Sequence, residues 1–396
     1  MKIVQVHNHY RFCGGENLMF AAISLMLRKK GLKVFFLERN SQNVQGLWWK
    51  MHAFKEGIYS SSAKKELSYI LTIEHPDVVH VHNVYPLISP SVLVACRKSD
   101  MPVVMTCHNY RLICPTGVFF DEGEICERCN GGREYWCVLK NCRENIFESI
   151  GYALRTAVAR KFLLFKDYVT LFIALTEFAK NRLIKAGFPE ECIVVVPNMV
   201  SIPDSAIDPS GGRYVAFVGR MSSEKGVDTL LEAAARVPEV GVRLAGDGPI
   251  KPQLAEKAPR NATFMGWLHK AQLASLYRKA RFVVVPSICF ETFGLTAAEA
   301  MSHGLPVIAS RTGGLPEIVE DVVTGFLFEP GNAEELADKM KLLWESPNLC
   351  QEMGQAGREK AIREYSEDVY YERLMAVYKK AIEINKERKQ HKTKPL

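Results

Sequence analysis

Two carboxylates lie eight residues apart, at Glu291 and Glu299, in the segment ETFGLTAAE. The preceding run FVVVPS is typical of a buried strand, and LTAAEAMSHG is typical of a helix that ends at a glycine. This pattern places Phe293, Gly294 and Leu295 at a helix N-terminus, where backbone N–H groups and the helix dipole attract an anion. Because hydroxyl groups donate to carboxylates, the segment predicts a ligand with hydroxyls on both sides of a phosphate, which is a sugar nucleotide.

Two cations follow a second predicted strand, in the segment FVGRMSSEKGVDTLLEA. Arg220 comes directly after the strand, and Lys225 precedes a predicted helix. Two cations at such a turn would hold a diphosphate, Arg220 through its planar fork and Lys225 as a point charge. Solvated Arg and Lys side chains are common beside turns, so this interpretation depends on the anion site predicted around Gly294.

The N-terminal half contains two further candidates, each with a structural alternative. Gly14 and Gly15 follow the first predicted strand, where a glycine pair either lets a ligand approach the backbone or simply forms a turn. His108 ends another strand in the segment TCHNY. A single histidine is either a satisfied structural residue or, where other site residues converge on it, a contributor to binding or catalysis.

The elements that must position these residues follow one pattern throughout the chain. Short apolar runs such as KIVQVH, DVVHVHN and FVVVPS alternate with helical periods, among them a helix predicted over residues 146–165. Residues 198–212 are rich in Pro, Ser, Asp and Gly and indicate a linker, after which the pattern repeats. The prediction is therefore two parallel α/β sheets that share a cleft at the carboxyl ends of their strands.

The chain resembles the retaining GT-B glycosyltransferases, in particular glycosyltransferase family 4. The resemblance covers most of the chain, from GGEN and HNYRL through GRMSSEKG to ETFGLTAAEAMSHGLPVIASRTGGLPEIV and TGFLFEPG. It implies an α/β GT-B fold with two facing Rossmann-like domains and an interdomain cleft. It also implies an acceptor-binding domain over residues 1–200, a nucleotide-sugar-binding domain over 213–365, and a C-terminal helix and basic tail over 366–396 that packs back on the first domain.

The resemblance also implies a role for each candidate in the second half. Glu291 would contact the hydroxyls of the transferred sugar, and Glu299 would contact the ribose of the donor. The backbone amides of residues 293–295 would meet the sugar and the distal phosphate. Arg220 and Lys225 would lie on the diphosphate, where they could stabilise the negative charge that develops as it departs.

In the first half, the resemblance implies that Gly14 and Gly15 approach the donor from the other domain, with His108 near the transferred sugar. The sequence contains no Asp-x-Asp metal-binding motif. We therefore expect no catalytic metal, and cations of the protein in its place. The departing phosphate is the expected base for the acceptor hydroxyl.

The expected function is transfer of a sugar, with retention of anomeric configuration, from a UDP- or GDP-linked donor. The expected acceptor is a lipid-linked sugar or a polysaccharide of cell-surface glycan biosynthesis. A nucleotide-sugar-binding protein without transferase activity and a sugar-nucleotide epimerase on the same fold are the alternatives. A nucleic acid partner is not expected.

Five cysteines fall within 29 residues, and these are Cys114, Cys126, Cys129, Cys137 and Cys142. One C-x2-C pair with outlying thiols favours a structural zinc site, with reduced thiols, disulfides and an iron–sulfur cluster as alternatives. The surrounding loop contains several glycines and few apolar residues, so we expect it to need a bound metal to stabilise its fold. Its position after His108 suggests that it shapes the acceptor side of the cleft.

Charge and aromatic residues of the first half suit an anionic lipid surface or another polyanion, with an ordinary solvated surface as the alternative. Residues 1–200 contain 25 Lys and Arg against 18 Asp and Glu, whereas residues 201–396 contain 26 of each kind. The segment GLWWKMHAFK places Trp48 and Trp49 close to lysines, a combination typical of a lipid interface or of an ordinary core-facing helix. Because no apolar run reaches about 18 residues and no signal-peptide pattern precedes the first strand, we expect a cytoplasmic protein, peripheral on the inner face of the membrane.

Overall fold

The computed structural model describes residues 1–10, 14–44 and 46–393. The chain divides into two compact units. Unit 1 comprises Met1–Val118, Glu127–Val196 and Tyr370–Leu396, and unit 2 comprises Phe119–Cys126 and Pro197–Val369. The last three residues of the predicted C-terminal segment, 394–396, lie outside the described residues.

The described residues form fourteen strands, six in a sheet of each unit and two in a short hairpin. In chain order the strands are β1 (Lys2–His9), β2 (Lys33–Asn40), β3 (Val78–Asn83), β4 (Val103–Thr106), β5 (Phe120–Asp121), β6 (Glu124–Ile125), β7 (Leu171–Ala174), β8 (Ile193–Val195), β9 (Tyr214–Val218), β10 (Val242–Ala245), β11 (Ala262–Gly266), β12 (Ala280–Val285), β13 (Val307–Ser310) and β14 (Gly325–Phe328).

Sixteen α-helices connect or flank these strands in the described residues. They are α1 (Gly15–Lys29), α2 (Gly46–Ile58), α3 (Ser61–Glu74), α4 (Ser91–Lys98), α5 (Tyr135–Leu139), α6 (Ile146–Lys161), α7 (Leu164–Tyr168), α8 (Glu177–Lys185), α9 (Val227–Arg236), α10 (Lys251–Lys257), α11 (Lys270–Arg278), α12 (Leu295–Ser302), α13 (Leu315–Ile318), α14 (Ala333–Glu345), α15 (Pro347–Tyr365) and α16 (Glu367–Thr393).

Each unit is built on a fully parallel six-stranded sheet. The order is β2-β1-β3-β4-β7-β8 in unit 1 and β11-β10-β9-β12-β13-β14 in unit 2. A parallel sheet covered by helices is buried on both faces, so its strands need continuous apolar runs. The strands β3, β4, β7 and β13 are buried at every residue, in agreement with this requirement. The predicted α/β class with two Rossmann-like domains is confirmed.

The single helix predicted over 146–165 is two helices in the structure. Helix α6 ends at Lys161, and α7 begins at Leu164. Leu163 has a φ of +51°, in the left-handed region, and its backbone N–H donates to the Arg160 carbonyl, which closes a tighter turn. The apolar periodicity continues across this break, which is why the sequence pattern does not reveal it.

The long C-terminal helix α16 makes buried polar contacts with the unit 1 sheet. The Tyr378 hydroxyl lies 2.7 Å from Nδ1 of His80 in β3, and Nδ2 of Asn385 donates to the Asp100 carbonyl at 2.7 Å. Its neighbours Tyr370 and Leu374 are buried as well. None of the helices in the described residues is both long and apolar enough to cross a lipid bilayer.

Candidate functional site

The predicted donor residues lie at the point of unit 2 where the strand order reverses. Strand β9 is central, and the chain proceeds from it to β10 on one side and later to β12 on the other. In open α/β sheets, ligands bind at the carboxyl ends of the strands at such a switch point. Arg220 and Lys225 follow β9, and Glu291 follows β12. The two loops touch, because a Cβ atom on Gly226 would overlap the Pro286 carbonyl, and the φ of Gly226 is +63°.

Lys225 and Glu291 form an ion pair across these two loops. Nζ of Lys225 lies 2.6 Å from Oε1 of Glu291, and the Ser287 hydroxyl donates to the same oxygen at 2.6 Å. The Lys225 side chain is 28% exposed and the Glu291 side chain 15%. Burial by itself would raise the pKa of Glu291, but Lys225 and the hydrogen bonds hold that pKa below its usual value. Glu291 is therefore a carboxylate at neutral pH.

Arg220 is held by a carboxylate that the sequence analysis did not identify. Its guanidinium pairs with Glu224, and its Nε donates to the Ser222 hydroxyl at 3.1 Å. Ser222 in turn donates to Glu224 at 2.7 Å. The Arg220 side chain is 57% exposed, whereas Glu224 is almost buried. Glu224 and Ser222 therefore fix the orientation of the Arg220 guanidinium, which remains accessible to an anion.

The predicted helix N-terminus is present at α12, which begins at Leu295 directly after Gly294. Gly294 has a φ of +94°, and a Cβ atom there would overlap the Leu315 side chain, so only glycine fits this position without strain. The Phe293 ring is buried against Tyr365 with its centroid 5.4 Å away. The Phe293 side chain is therefore a packing residue, and the amide role expected for Phe293 stays a prediction.

Glu299 lies one turn inside α12, on a different element from Glu291. Burial raises the pKa of Glu299 to about 7, and the nearby Tyr277 hydroxyl opposes this shift. Tyr277 is buried and its ring lies 5.0 Å from that of His303. The two carboxylates therefore differ in charge state, because Glu291 has a cation beside it and Glu299 has only a hydroxyl.

Gly14, Gly15 and His108 belong to unit 1, at the carboxyl edge of its sheet. Gly14 precedes α1 with an extended φ of −131°, and nothing lies within 4 Å of where its Cβ would be. Among the described residues, nothing crowds this position, and its φ does not require glycine. Nε2 of His108 lies 3.0 Å from Nδ1 of His82. Burial, followed by repulsion from His7 and His80, lowers the pKa of His108 to about 3, so its imidazole is neutral.

Three polar residues around the donor candidates were missed from the sequence, and these are Ser287, Glu224 and Tyr277. Ser287 and Glu224 were within the quoted segments, at the end of FVVVPS and inside GRMSSEKG. Ser287 comes two residues after β12 and Glu224 lies in the loop that follows β9, so their positions in loops after strands were a signal that could have identified both. Tyr277 is on α11, 22 residues before Glu299, and no local pattern links the two.

The predicted zinc site is not supported by the structure. Cys129, Cys137 and Cys142 share a small apolar cluster with Ala153, while Cys126 lies outside it, next to β6. Within the described ranges, no group of three or more His, Cys, Asp or Glu side chains could hold a metal ion. The partly buried side chains of Trp136, Val138 and Tyr152 pack against this cluster. The cluster therefore stabilises this loop by packing.

Family models match both halves of the chain. The model of glycosyltransferase family 4 matches residues 13–202, and the model of glycosyl transferases group 1 matches residues 202–360. An uncharacterized glycosyltransferase of Methanocaldococcus jannaschii is 33% identical over 374 residues, which cover 91% of this chain and 93% of that protein.

Two further relatives match shorter regions of this chain. The sulfoquinovosyl transferase of Arabidopsis thaliana is 38% identical over 149 residues, covering 37% of this chain and 29% of that protein. A D-inositol 3-phosphate glycosyltransferase of Segniliparus rotundus is 38% identical over 189 residues, covering 44% of this chain and 41% of that protein. The matched region is thus less than half the length of either protein.

Solved structures agree over nearly the whole chain. The Anabaena HepE protein in complex with UDP has a TM-score of 0.66 at 19% identity, covering 96% of this chain and all of that one. A sucrose-phosphate synthase of Thermosynechococcus elongatus has a TM-score of 0.71 at 18% identity, covering 96% and 98%. At this level of identity the likeness shows the fold, and the near-full-length relative shows the family. The chain belongs to glycosyltransferase family 4 and has the GT-B fold.

Proposed function

We propose that this chain is a retaining glycosyltransferase that moves a sugar from a UDP- or GDP-linked donor to a lipid-linked or polysaccharide acceptor. The observation that carries the proposal is the arrangement at the switch point of unit 2. There Lys225, Arg220 and the N-terminus of α12 supply positive charge, while Glu291 and Glu299 supply hydrogen-bond acceptors on separate elements. A nucleotide sugar has the matching order of groups, with a diphosphate between two sets of hydroxyls.

In the proposed reaction, the bond between the anomeric carbon and the diphosphate oxygen breaks as the acceptor oxygen attacks the same carbon. The acceptor proton passes to the departing phosphate. Lys225, Arg220 and the α12 amides meet the negative charge that develops there, without a catalytic metal. Glu291, a carboxylate at neutral pH, accepts from the sugar hydroxyls and holds the ring in position. His108, being neutral, would contribute a hydrogen bond near the transferred sugar rather than a charge.

A thermal-shift screen of nucleoside diphosphates and nucleotide sugars tests the donor site. UDP is the first probe, since the HepE structure contains it. A ligand at 100 times its dissociation constant should add about 2.7 kcal/mol to the free energy of unfolding. Stabilisation by a nucleoside diphosphate and its nucleotide sugar, but not by inorganic phosphate or sulfate, would support the assignment. Absence of stabilisation by every compound in the screen would contradict it.

Product analysis separates transfer from the two alternatives. With the stabilising nucleotide sugar and an acceptor mixture, transfer releases a nucleoside diphosphate and forms a glycoside with the anomeric configuration of the donor. An epimerase would instead change the sugar on the nucleotide, and a binding protein would leave the donor intact. Nuclear magnetic resonance of the anomeric proton distinguishes the three outcomes.

An exposed apolar surface on α2 and α6 supports a membrane-associated acceptor. Trp48 and Met51 of α2 and Phe147 of α6 are 68%, 65% and 78% exposed. The two helices pack together, because a Cβ atom on Gly151 of α6 would touch the Phe54 ring of α2. Exposed aromatic residues on helices of a basic domain suit the interface of an anionic bilayer.

Vesicle binding tests this surface. We expect binding to anionic vesicles that weakens with salt, since exposed charges are screened over about 8 Å at physiological ionic strength. Trp48→Glu and Phe147→Glu should each weaken it, whereas Tyr69→Glu should not, because Tyr69 is equally exposed, at 69%, but lies on α3. Equal loss in all three variants, or no binding at low salt, would leave Trp48 and Trp49 without a role at the membrane.

A further inference from the structure

Two arginines of unit 1, the buried Arg155 and the partly buried Arg111, form no ion pair with a carboxylate among the described residues. Arg155 of α6 is 5% exposed and lies between two rings, 3.7 Å from the centroid of Tyr152 and 4.3 Å from that of Tyr85. Arg111 donates from Nη1 to the Tyr10 hydroxyl at 2.6 Å. Nε of each arginine is buried with no hydrogen-bond partner, and across the described residues no acidic side chain pairs with either. Burying an unpaired guanidinium donor costs folding free energy unless a bound anion accepts a hydrogen bond from it.

The carboxylate beside Arg111 is Glu16, at the start of α1, and only one of its two oxygens accepts a hydrogen bond. Nδ2 of Asn109 donates to its Oε2 at 2.9 Å, while its Oε1 is buried without a partner. Burial raises the pKa of Glu16 to about 7, so at neutral pH it is a carboxylate only part of the time. The same small region thus contains an unused guanidinium donor and an unused carboxyl oxygen.

These groups are at the ligand-binding edge of the unit 1 sheet. Strand order reverses there between β1 and β3, with Tyr10 following β1 and Tyr85 following β3. Two small cavities both have Arg111, Tyr85 and Phe165 in their walls. The larger is also lined by residues 129–132 of the Cys-rich loop. The Arg111 side chain therefore borders open space from which a small acidic group of a ligand could contact it.

Other cations around the larger cavity are arranged differently. Arg160 is paired with Glu134, with Nε 2.7 Å from Oε1. Lys166 donates to the Ala186 carbonyl at 3.2 Å. Arg111 differs from Arg160 in three ways: it lines both cavities, it has an unused buried donor, and its one carboxylate neighbour among the described residues, Glu16, interacts with it through space and not through a hydrogen bond.

We propose that Arg111, backed by Arg155, binds an acidic group of the sugar acceptor, so that the acceptor is an acidic glycan carrying a carboxylate or a phosphate. A guanidinium binds either group through its planar fork. The free oxygen of Glu16 would accept from a hydroxyl of the same sugar. This inference deepens the proposed glycosyl transfer and rests on it, since it names the chemical class of the acceptor.

Calorimetry with simple sugars tests the inference in the full chain. The probes are methyl β-D-glucuronide for the carboxylate, glucose 6-phosphate for the phosphate, and methyl β-D-glucoside as the neutral control. Each is titrated with the stabilising nucleoside diphosphate at saturation, so that Arg220 and Lys225 cannot capture the acid. At least one acidic probe should bind about 10- to 100-fold more tightly than the neutral one, as expected for a hydrogen bond to a charged group.

Substitutions at Arg111 and Arg160 test whether the preference for acidic probes depends on Arg111. Arg111→Gln should remove the preference for the acidic probe, and Arg111→Lys should keep part of it, because the charge remains and the fork is lost. Arg160→Gln is the matched control, since Arg160 lines the same cavity but is already paired, and it should keep the full preference. An unchanged circular dichroism spectrum and unfolding midpoint in Arg111→Gln show that the variant is folded.

Equal affinity of the wild-type protein for acidic and neutral probes would overturn the inference, whatever the variants do. A preference that survives in Arg111→Gln would overturn it as well. If no nucleoside diphosphate binds, the proposed function fails. If one binds and the acidic probes show no advantage, only the acidic acceptor is refuted.

Discussion

Replacing Lys225 by Met is the sharpest test of the donor site, because Lys225 makes one well-defined contact in the unliganded protein. Its Nζ lies 2.6 Å from Oε1 of Glu291, across the loops that follow β9 and β12. In the proposed reaction the same ammonium meets the charge that develops on the departing diphosphate. The substitution removes the charge and leaves most of the aliphatic stem, so packing should change little.

Two magnitudes follow from this geometry. Loss of a group that stabilises the developing charge typically lowers kcat by about 10²–10³-fold. Loss of one partner of a fully buried ion pair costs about 3–5 kcal/mol. Lys225 and Glu291 are 28% and 15% exposed, and Ser287 still donates to Glu291, so we expect a smaller loss of folding free energy, about 1–2 kcal/mol.

A double variant separates the two effects. Lys225→Met with Glu291→Gln removes the uncompensated carboxylate, so it should recover most of the lost stability in denaturant unfolding. It should recover none of the lost kcat, because the missing charge acts on the diphosphate. Arg236→Met, which breaks the exposed pair with Glu232 on α9, is the matched control and should leave kcat unchanged.

The assay measures kcat and donor KM for each protein, together with the free energy of unfolding. A drop in kcat larger than the rise in KM indicates an interaction made mainly in the transition state. Wild-type kcat in Lys225→Met at saturating donor would refute the assignment. Recovery of kcat in the double variant would also refute it, because the effect would then come from the stranded carboxylate.

The remaining predictions concern the two carboxylates and the cysteines. Glu299→Ala should weaken binding of the free nucleoside diphosphate and of the whole donor, whereas Glu291→Ala should weaken only the sugar-bearing form; calorimetry with the reverse pattern would reject this division of roles. Because ribose hydroxyls donate to the ionised form of Glu299, whose pKa is about 7, nucleoside diphosphate affinity should rise between pH 6 and 8 more steeply in the wild type than in Glu299→Gln. That raised pKa also means that the folded state holds the proton more tightly than the unfolded state, so the contribution of Glu299 to stability should fall as pH rises from about 4.5 to about 7. Cys137→Ser should lower the melting temperature more than Cys126→Ser, because Cys137 is buried in an apolar cluster and Cys126 is only half-buried; equal losses accompanied by release of zinc would restore the metal site.

Much of the donor site could be predicted from the sequence because its residues are close together along the chain. Glu291, Gly294 and Glu299 occupy one strand–loop–helix segment, and Arg220 and Lys225 occupy another. Apolar runs without alternation identify strands of a parallel sheet, and a helix-forming run directly after a loop identifies a helix and its N-terminus. These are local properties, which the amino-acid order alone determines.

Contacts between distant segments depended on the tertiary structure. The sequence spacing of Cys126 and Cys129 predicted a shared metal, but the fold places Cys129 with Cys137 and Cys142 and leaves Cys126 near β6. Metal-ligand spacing constrains residues in a turn, whereas apolar packing selects whichever thiols the surrounding helices bring together.

The amino-acid order was sufficient to predict the α/β class, the family and a set of candidate donor-site residues, because strand and helix periodicity and short loop motifs lie in consecutive residues. Only the tertiary structure decided which side chains pair. Lys225 meets Glu291 from 66 residues away, and Arg111 lies beside Tyr10 from 101 residues away. The order of strands in each sheet brings these residues together. Contacts between residues so far apart leave no pattern in any single stretch of the sequence. Arg111 and Arg155 could be identified as candidates only from the structure, because an unused donor can be recognised only when its neighbours are known.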